Sequence, residues 1–286
     1  MSNLMKQARA TLSILNPDDI LARAERPVTI GLVADASIAY AEMEDFLAPE
    51  GEPRKTWRGR MSHIHRANDP EVPASVDLVL YEPGLACPPH GFTFHRGNAE
   101  TTVAEILREK AGLAMPLARQ FPVFRKQVIE GIVHEVAKEN ALFALATSLP
   151  NILPSLLELP WIFGEFASDT VFLTANEMRM AFQIAAASGR NVGFRRQRGD
   201  LLAIGAGAFG WRALARELAS HIPMGGGLIP KAAIAYAGTF VVGKGLEFYH
   251  YSARQPTNEE RKLLYQEGLQ HGRSFAESLP VGQTRA

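Results

Sequence analysis

Three short stretches of this 286-residue chain carry residue types at spacings that could do chemistry. The run Gly31-Leu-Val-Ala-Asp35-Ala36-Ser37-Ile38 stands where a strand pattern, VTIGLVA, ends. A phosphate-binding loop occupies such a place and needs a second glycine to wrap the phosphates, a lysine for their charge and a hydroxyl for Mg²⁺. Those three positions hold Ala36, Ser37 and Ile38, and Asp35 adds negative charge beside them. The run therefore reads as a phosphate loop stripped of its chemistry. Gly205, Gly207 and Gly210 have the spacing of a dinucleotide fingerprint, but only four apolar residues precede them. No second strand ending in an acid follows about 20 residues on, as that fingerprint requires. They are expected to form a small-residue packing face within one helix. His63, His65, Cys87, His90 and His95 are of zinc-ligand type, yet their spacing fits no closed zinc signature. They are expected to be loop groups, with metal binding the lesser alternative. None of these runs assigns a catalytic, cofactor or metal residue, and no cofactor is expected.

Composition narrows the class. Thirty basic and thirty acidic residues give a net charge of zero. A dedicated nucleic-acid binder carries a basic excess, so no nucleic-acid partner is expected. The single cysteine, Cys87, excludes an intramolecular disulfide and fits a reducing compartment. No stretch supplies the roughly 20 clean apolar residues of an ordinary spanning helix. Ala141 to Leu157 is uncharged but interrupted by Pro150, Asn151 and Pro154, and LPWIFG follows before Glu165. That segment reads as a kinked or re-entrant helix, or as a buried one.

The elements that would position these groups fall into two parts. Residues 1–26 form an amphipathic lead-in, with Leu4, Ala8, Leu12 and Leu15 on one helical face. Residues 27–118 read as a small α/β domain: strand VTIGLVA, a loop over Pro49 to Ser75, and a strand from Val76 to Glu82. A second loop runs to Asn98, a helix is opened by Thr102 and Glu105 at capping-box spacing, and AGLAMPLA gives a short third strand. Residues 119–286 read as helical. Val128, Ile132, Val136 and Phe143 stripe one helix; Thr174 and Glu177 open another that Gly189 closes. A helix over Gly199 to His221, an apolar one from Pro230 to Tyr251 and a polar one from Thr257 to Leu279 follow. Asn176, Arg179 and Arg212 interrupt apolar helices and need polar partners. The fold class is α+β or α/β and predominantly helical: a small α/β N-terminal domain followed by an α-helical C-terminal domain.

The second strand ends Tyr81-Glu82-Pro83-Gly84, where a GTPase has an Asp-x-x-Gly turn, and no Asn-Lys-x-Asp guanine signature is found. With the altered phosphate loop, 27–118 resembles a degenerate GTPase-like fold. Farther on, Ala175-Asn-Glu-Met-Arg-Met180, Phe209-Gly-Trp-Arg-Ala-Leu-Ala-Arg-Glu-Leu218 and Ile229-Pro-Lys-Ala-Ala-Ile-Ala-Tyr-Ala-Gly-Thr239 occur in order. Over about 174–251 they make the chain resemble a domain of unknown function found in YcjF-type bacterial membrane proteins and at the C-terminus of some Era-like GTPases. The resemblance carries no catalytic residue. It implies a helical module at the cytoplasmic face of the bacterial inner membrane, with a membrane surface, a membrane protein or a GTPase-like protein as partner, or a homo-oligomer. The candidate interaction residues are Arg190, Arg195, Arg196 and Arg198, a basic patch suited to anionic headgroups. Ala235 and Gly238 are candidates for close helix contact. The expected function is a non-catalytic, membrane-associated scaffold or interaction module. The alternatives are a nucleotide-responsive GTPase-like regulator and a soluble metal- or dinucleotide-dependent enzyme.

Overall fold

A computed structural model of the chain describes residues 16–51, 53–69, 73, 75–147, 169–202, 228–252 and 254–279. The fold is predominantly helical with one small parallel sheet. It divides into an α/β unit, Asp19–Ile129 with Ala185–Asn191, and a helical unit built from the described parts of Glu130–Ile184 and Val192–Ala286.

The α/β unit opens with α1 (Pro17–Ala24), β1 (Ile30–Val33) and α2 (Ser37–Leu47). The Pro49 to Ser75 region, expected to be loop, contains α3 (Arg54–Met61) and β2 (Ile64–Arg66). Its polar composition concealed them, because β2 buries only Ile64 and exists through its pairing with β1. Then come β3 (Leu78–Tyr81), β4 (Phe92–Thr93) and α4 (Ala99–Glu109). The α4 cap is Asn98, whose side chain accepts from the Thr101 N–H at 3.2 Å. Thr102 lies inside the helix instead and its hydroxyl accepts from the His95 N–H. AGLAMPLA, expected to be a strand, is a 3₁₀ turn (Ala111–Leu113) running into α5 (Ala114–Gln120). Pro116 sits in the first turn of α5, where its missing N–H has no helical acceptor.

The sheet order is β2-β1-β3-β4 and all pairings are parallel. Parallel strands are covered on both faces, which is why β1 reads as an unbroken apolar run. Ile30, Leu32, Leu78, Leu80 and Phe92 are buried in it, under Met43 and Leu47 of α2 and Val103 and Ile106 of α4. Arg60 of α3 is also buried, donating from Nε to the Gln120 carbonyl at 2.5 Å. Burial and the neighbouring Arg125 lower its guanidinium to about 10.

After a second 3₁₀ turn (Pro122–Phe124), α6 (Arg125–Ala146) leads into the helical unit. The others are α7 (Asp169–Ala187), α8 (Leu228–Ser252) and α9 (Asn258–Ser278). Thr174 and Glu177, expected to open a helix, lie inside α7. The expected stop holds: Gly189 has φ +76°, and the Gly189 and Arg190 N–H groups reach back to the Ala186 and Ala185 carbonyls. α9 begins with a full capping box of Thr257 and Glu260. Arg254 clamps Glu260 with two 2.8 Å bonds, which together with the Thr257 N–H hold that carboxyl down at about 2.

α8 is rich in apolar residues, with Ala232, Ala233, Tyr236, Ala237 and Phe240 buried, and carries Lys231, Lys244 and Glu247 as charged residues. It approaches α6 and α7 through Gly243, whose Cβ would meet Val133 at 2.6 Å and the Met180 sulfur at 3.1 Å. It approaches α9 backbone to backbone. A Cβ on Gly268 would lie 2.9 Å from the Ala237 Cα, and one on Gly272 2.8 Å from the Ala233 Cα. Among the described residues, no helix is long and apolar enough to cross a membrane.

Candidate functional site

In a sheet ordered 2-1-3-4 the chain turns outward in opposite directions from β1 and β3. Ligands of open α/β sheets settle in the crevice this leaves beyond the strands' C-terminal ends. In this chain the crevice lies between the β1–α2 turn, Ala34 to Ala36, and the residues after β3. The strand expected from VTIGLVA is β1; the helix that follows the turn, α2, was not expected from the sequence. At this turn Ala36 is the helix cap and offers no side-chain hydrogen bond.

Glu82 fills the gap. It follows β3 directly, its N–H donates to the Val33 carbonyl at 2.9 Å, and its carboxylate turns to the next element. Glu82 Oε2 accepts from the Asp35 N–H at 2.9 Å and from the Ala36 N–H at 3.3 Å. The partial positive charge of a helix N-terminus favours an anion here, and in nucleotide folds the anion is a phosphate. Here the anion is the chain's own carboxylate. Glu82→Ala is expected to cost about 1 kcal/mol, the value of a helix cap, read as a melting point lower by about 2–4 °C. Glu82→Gln, whose amide oxygen still accepts, should lose less.

The other groups singled out in the sequence disperse. His95 Nε2 pairs with Glu105 at 2.9 Å, His65 lies in β2, and Cys87 is exposed. Among the described residues no three His, Cys, Asp or Glu side chains are placed to share a metal ion. Gly205, Gly207, Gly210 and Arg212 lie outside the described residues, as does Pro150 to Glu165.

The helical unit contains a polar layer that crosses three helices. Asn140 of α6 donates to the Thr239 hydroxyl of α8 at 2.8 Å, and Thr239 donates on to the Ala235 carbonyl at 3.1 Å. Asn176 of α7 donates to the Asn140 side-chain oxygen at 2.9 Å and to Glu139 at 3.2 Å. Arg179 donates to the same Glu139 carboxylate. Asn140, Asn176 and Thr239 are buried, so a shifted register would strand groups that have no access to water. Burial outweighs the pull of Arg179 and pushes the Glu139 carboxyl above its ordinary range. The layer is a registration device; it presents no nucleophile to a cavity.

Arg195, Arg196 and Arg198 are exposed, and among the described residues no carboxylate pairs with them. Arg195 and Arg196 occupy the turn that starts at Gly193, and Arg198 opens the short helical stretch that follows. Phe194, 44% exposed with one ring edge on Phe182, and Leu202, 62% exposed, flank them. Arg190 belongs to the α/β unit, where its carbonyl accepts from Arg119 at 2.7 Å. Ala235 and Gly238 are buried in the helical unit. Gly268 and Gly272, spaced four apart on α9, meet α8, and Ala276, four residues farther on, is buried. That spacing was legible in the sequence but masked by the charged residues between them.

No family model, no curated protein and no solved structure matches the chain.

Proposed function

We propose that the chain is a non-catalytic, membrane-associated scaffold or interaction module. Its helical unit would dock a membrane surface, a membrane protein or a GTPase-like protein at the cytoplasmic face of a bacterial membrane, alone or as a homo-oligomer. The observation that carries the non-catalytic part is the Glu82 carboxylate on the β1–α2 turn, where a nucleotide enzyme places phosphate. An incoming phosphate would have to displace a hydrogen-bonded carboxylate and then lie beside Asp35, with no lysine to offset either charge. Support for the membrane comes from the resemblance over 174–251 and from the turn Gly193 to Leu202. Exposed arginines flanked by an exposed phenylalanine and leucine are the composition of an interfacial contact. Each arginine near an anionic surface adds about 1 kcal/mol.

Two measurements test the two halves. Calorimetry with GTP, GDP and ATP at millimolar concentration is expected to show no binding heat; saturable heat would replace this reading with a nucleotide-responsive regulator. Flotation with vesicles containing anionic lipid is expected to carry the protein upward and to be reversed by high salt. Protein that stays at the bottom with every vesicle composition removes the membrane.

A further inference from the structure

α6, α8 and α9 meet at one aromatic cluster that contains two histidines. His134 of α6 lies with its ring centroid 5.1 Å from that of His271 of α9, edge to face. Both rings also pack on Phe240 of α8, at 5.4 and 5.8 Å. His134 Nδ1 is 2.5 Å from the Tyr236 hydroxyl of α8. Tyr236 is buried, and burial pushes its phenol up to about 12, so it keeps its proton throughout the physiological range. It donates to Nδ1 when the imidazole is neutral with its hydrogen on Nε2.

We propose that His134 and His271 form an acid-sensitive latch that holds α9 against α6 and α8, closed when both imidazoles are neutral and loosened when they are protonated. Protonation places two cations side by side at a helix junction. It also puts a hydrogen on Nδ1, so the Tyr236 O–H must turn away and accept. The charged groups facing the pair are Glu130 and Lys138 on α6, Lys244 on α8 and Glu267 on α9. The nearest carboxylates are within ion-pairing reach, Glu130 at 4.0 Å from His134 Nε2 and Glu267 at 3.8 Å from His271 Nε2, each one turn away on the ring's own helix, and they offset part of the repulsion between the protonated rings. Lys244 is already engaged with Glu247 at 2.8 Å and adds positive charge. Burial first, and then His271, lower the His134 imidazole below its ordinary value of 6.5. A base with a lowered value in the fold stabilises the fold above that ordinary value. The contribution fades as pH falls from about 6.5 toward the folded value and changes no further below it. The inference stands apart from membrane binding, since it concerns contacts within the helical unit.

Hydrogen exchange on the full chain at pH 7.5 and 5.5, corrected for intrinsic rates, tests it. Protection of α9 amides in the wild type is expected to fall severalfold on acidification. In His271→Gln and His134→Gln the same acidification should change it less than about twofold. Equal protection at both pH values in the wild type overturns the latch, and so does an undiminished loss in both variants. Should either variant fail to fold, the wild type alone decides by NMR. Loss of the contacts between the His134, His271 and Phe240 rings on acidification from pH 7.5 to 5.5 supports the latch, and ring contacts unchanged between the two pH values refute it.

Discussion

Gly272→Val is expected to destabilise the helical unit by about 3 kcal/mol or more, the upper part of the range for overpacking. The reason is where the new atoms would go. The first of them, Cβ, would lie 2.8 Å from the Ala233 Cα, 2.8 Å from the Tyr236 Cβ and 3.0 Å from the Ala233 carbonyl oxygen. Two of these three are backbone atoms of α8, which cannot rotate aside as a side-chain tip does. Relief requires that α9 move as a body, which would pull Tyr265 out of its site on Ala237 and Val241. At about 2–4 °C per kcal/mol for a unit of this size, the melting point should drop by about 6–12 °C. Gly268→Val should behave alike, since its Cβ would meet the Ala237 Cα at 2.9 Å. The control is Gly131→Ala in α6. A Cβ there meets nothing within 4 Å, and replacing a helical glycine by alanine gains up to about 1 kcal/mol. Opposite signs for Gly272→Val and Gly131→Ala in thermal unfolding would place the cost in helix contact. A loss at Gly131 as large as at Gly272 would refute that assignment.

Arg179→Met is expected to destabilise at neutral pH and to recover in acid. In the wild type Glu139 receives hydrogen bonds from Arg179 and Asn176, and its carboxyl nonetheless stands above its ordinary range because burial dominates. Removing the arginine leaves the charge with the Asn176 amide and with Glu135, which raises it further. Stranding a buried charge costs 3–5 kcal/mol in a dry interior; Glu139 keeps a third of its side chain in contact with water, so about 1–3 kcal/mol is expected. The sign follows from linkage. A carboxyl whose folded value is raised weakens the fold above that value, and the penalty disappears as pH falls to the unfolded value near 4.3. Denaturant unfolding of wild type and variant at pH 7.5 and 5 measures it: the gap between them should narrow in acid. A constant gap would mean that Arg179 acts by packing alone. The slope is opposite to that of the histidine latch, so the two are separable by which helices lose protection in acid.

The same division between local and long-range information runs through the whole molecule. β1 was legible because VTIGLVA is an apolar strand run, whereas α2 behind it was not foreseen. α8 and α9 were legible because one is a long, mostly apolar run and the other opens with Thr257 and Glu260 three residues apart. Local chemistry also showed that the run Gly31 to Ile38 has no lysine, which a phosphate loop needs. Elsewhere, competing contacts overrode local signals. Thr102–Glu105 and Thr174–Glu177 have capping-box spacing, yet both pairs sit inside helices whose starts are set earlier in the chain. β2 is three residues long and holds its conformation only by hydrogen bonding to β1. Sequence alone determined a predominantly helical protein with a small α/β part. Tertiary structure alone decided that Glu82, 46 residues beyond Ala36, supplies the missing anion. It also decided that His134, Tyr236 and His271 meet, and that Gly268 and Gly272 are what let α9 touch α8. The physical reason is common to all three: a hydrogen bond or a backbone contact is fixed by distance in space, and residues so far apart along the chain acquire that distance only once the sheet and the helices have packed.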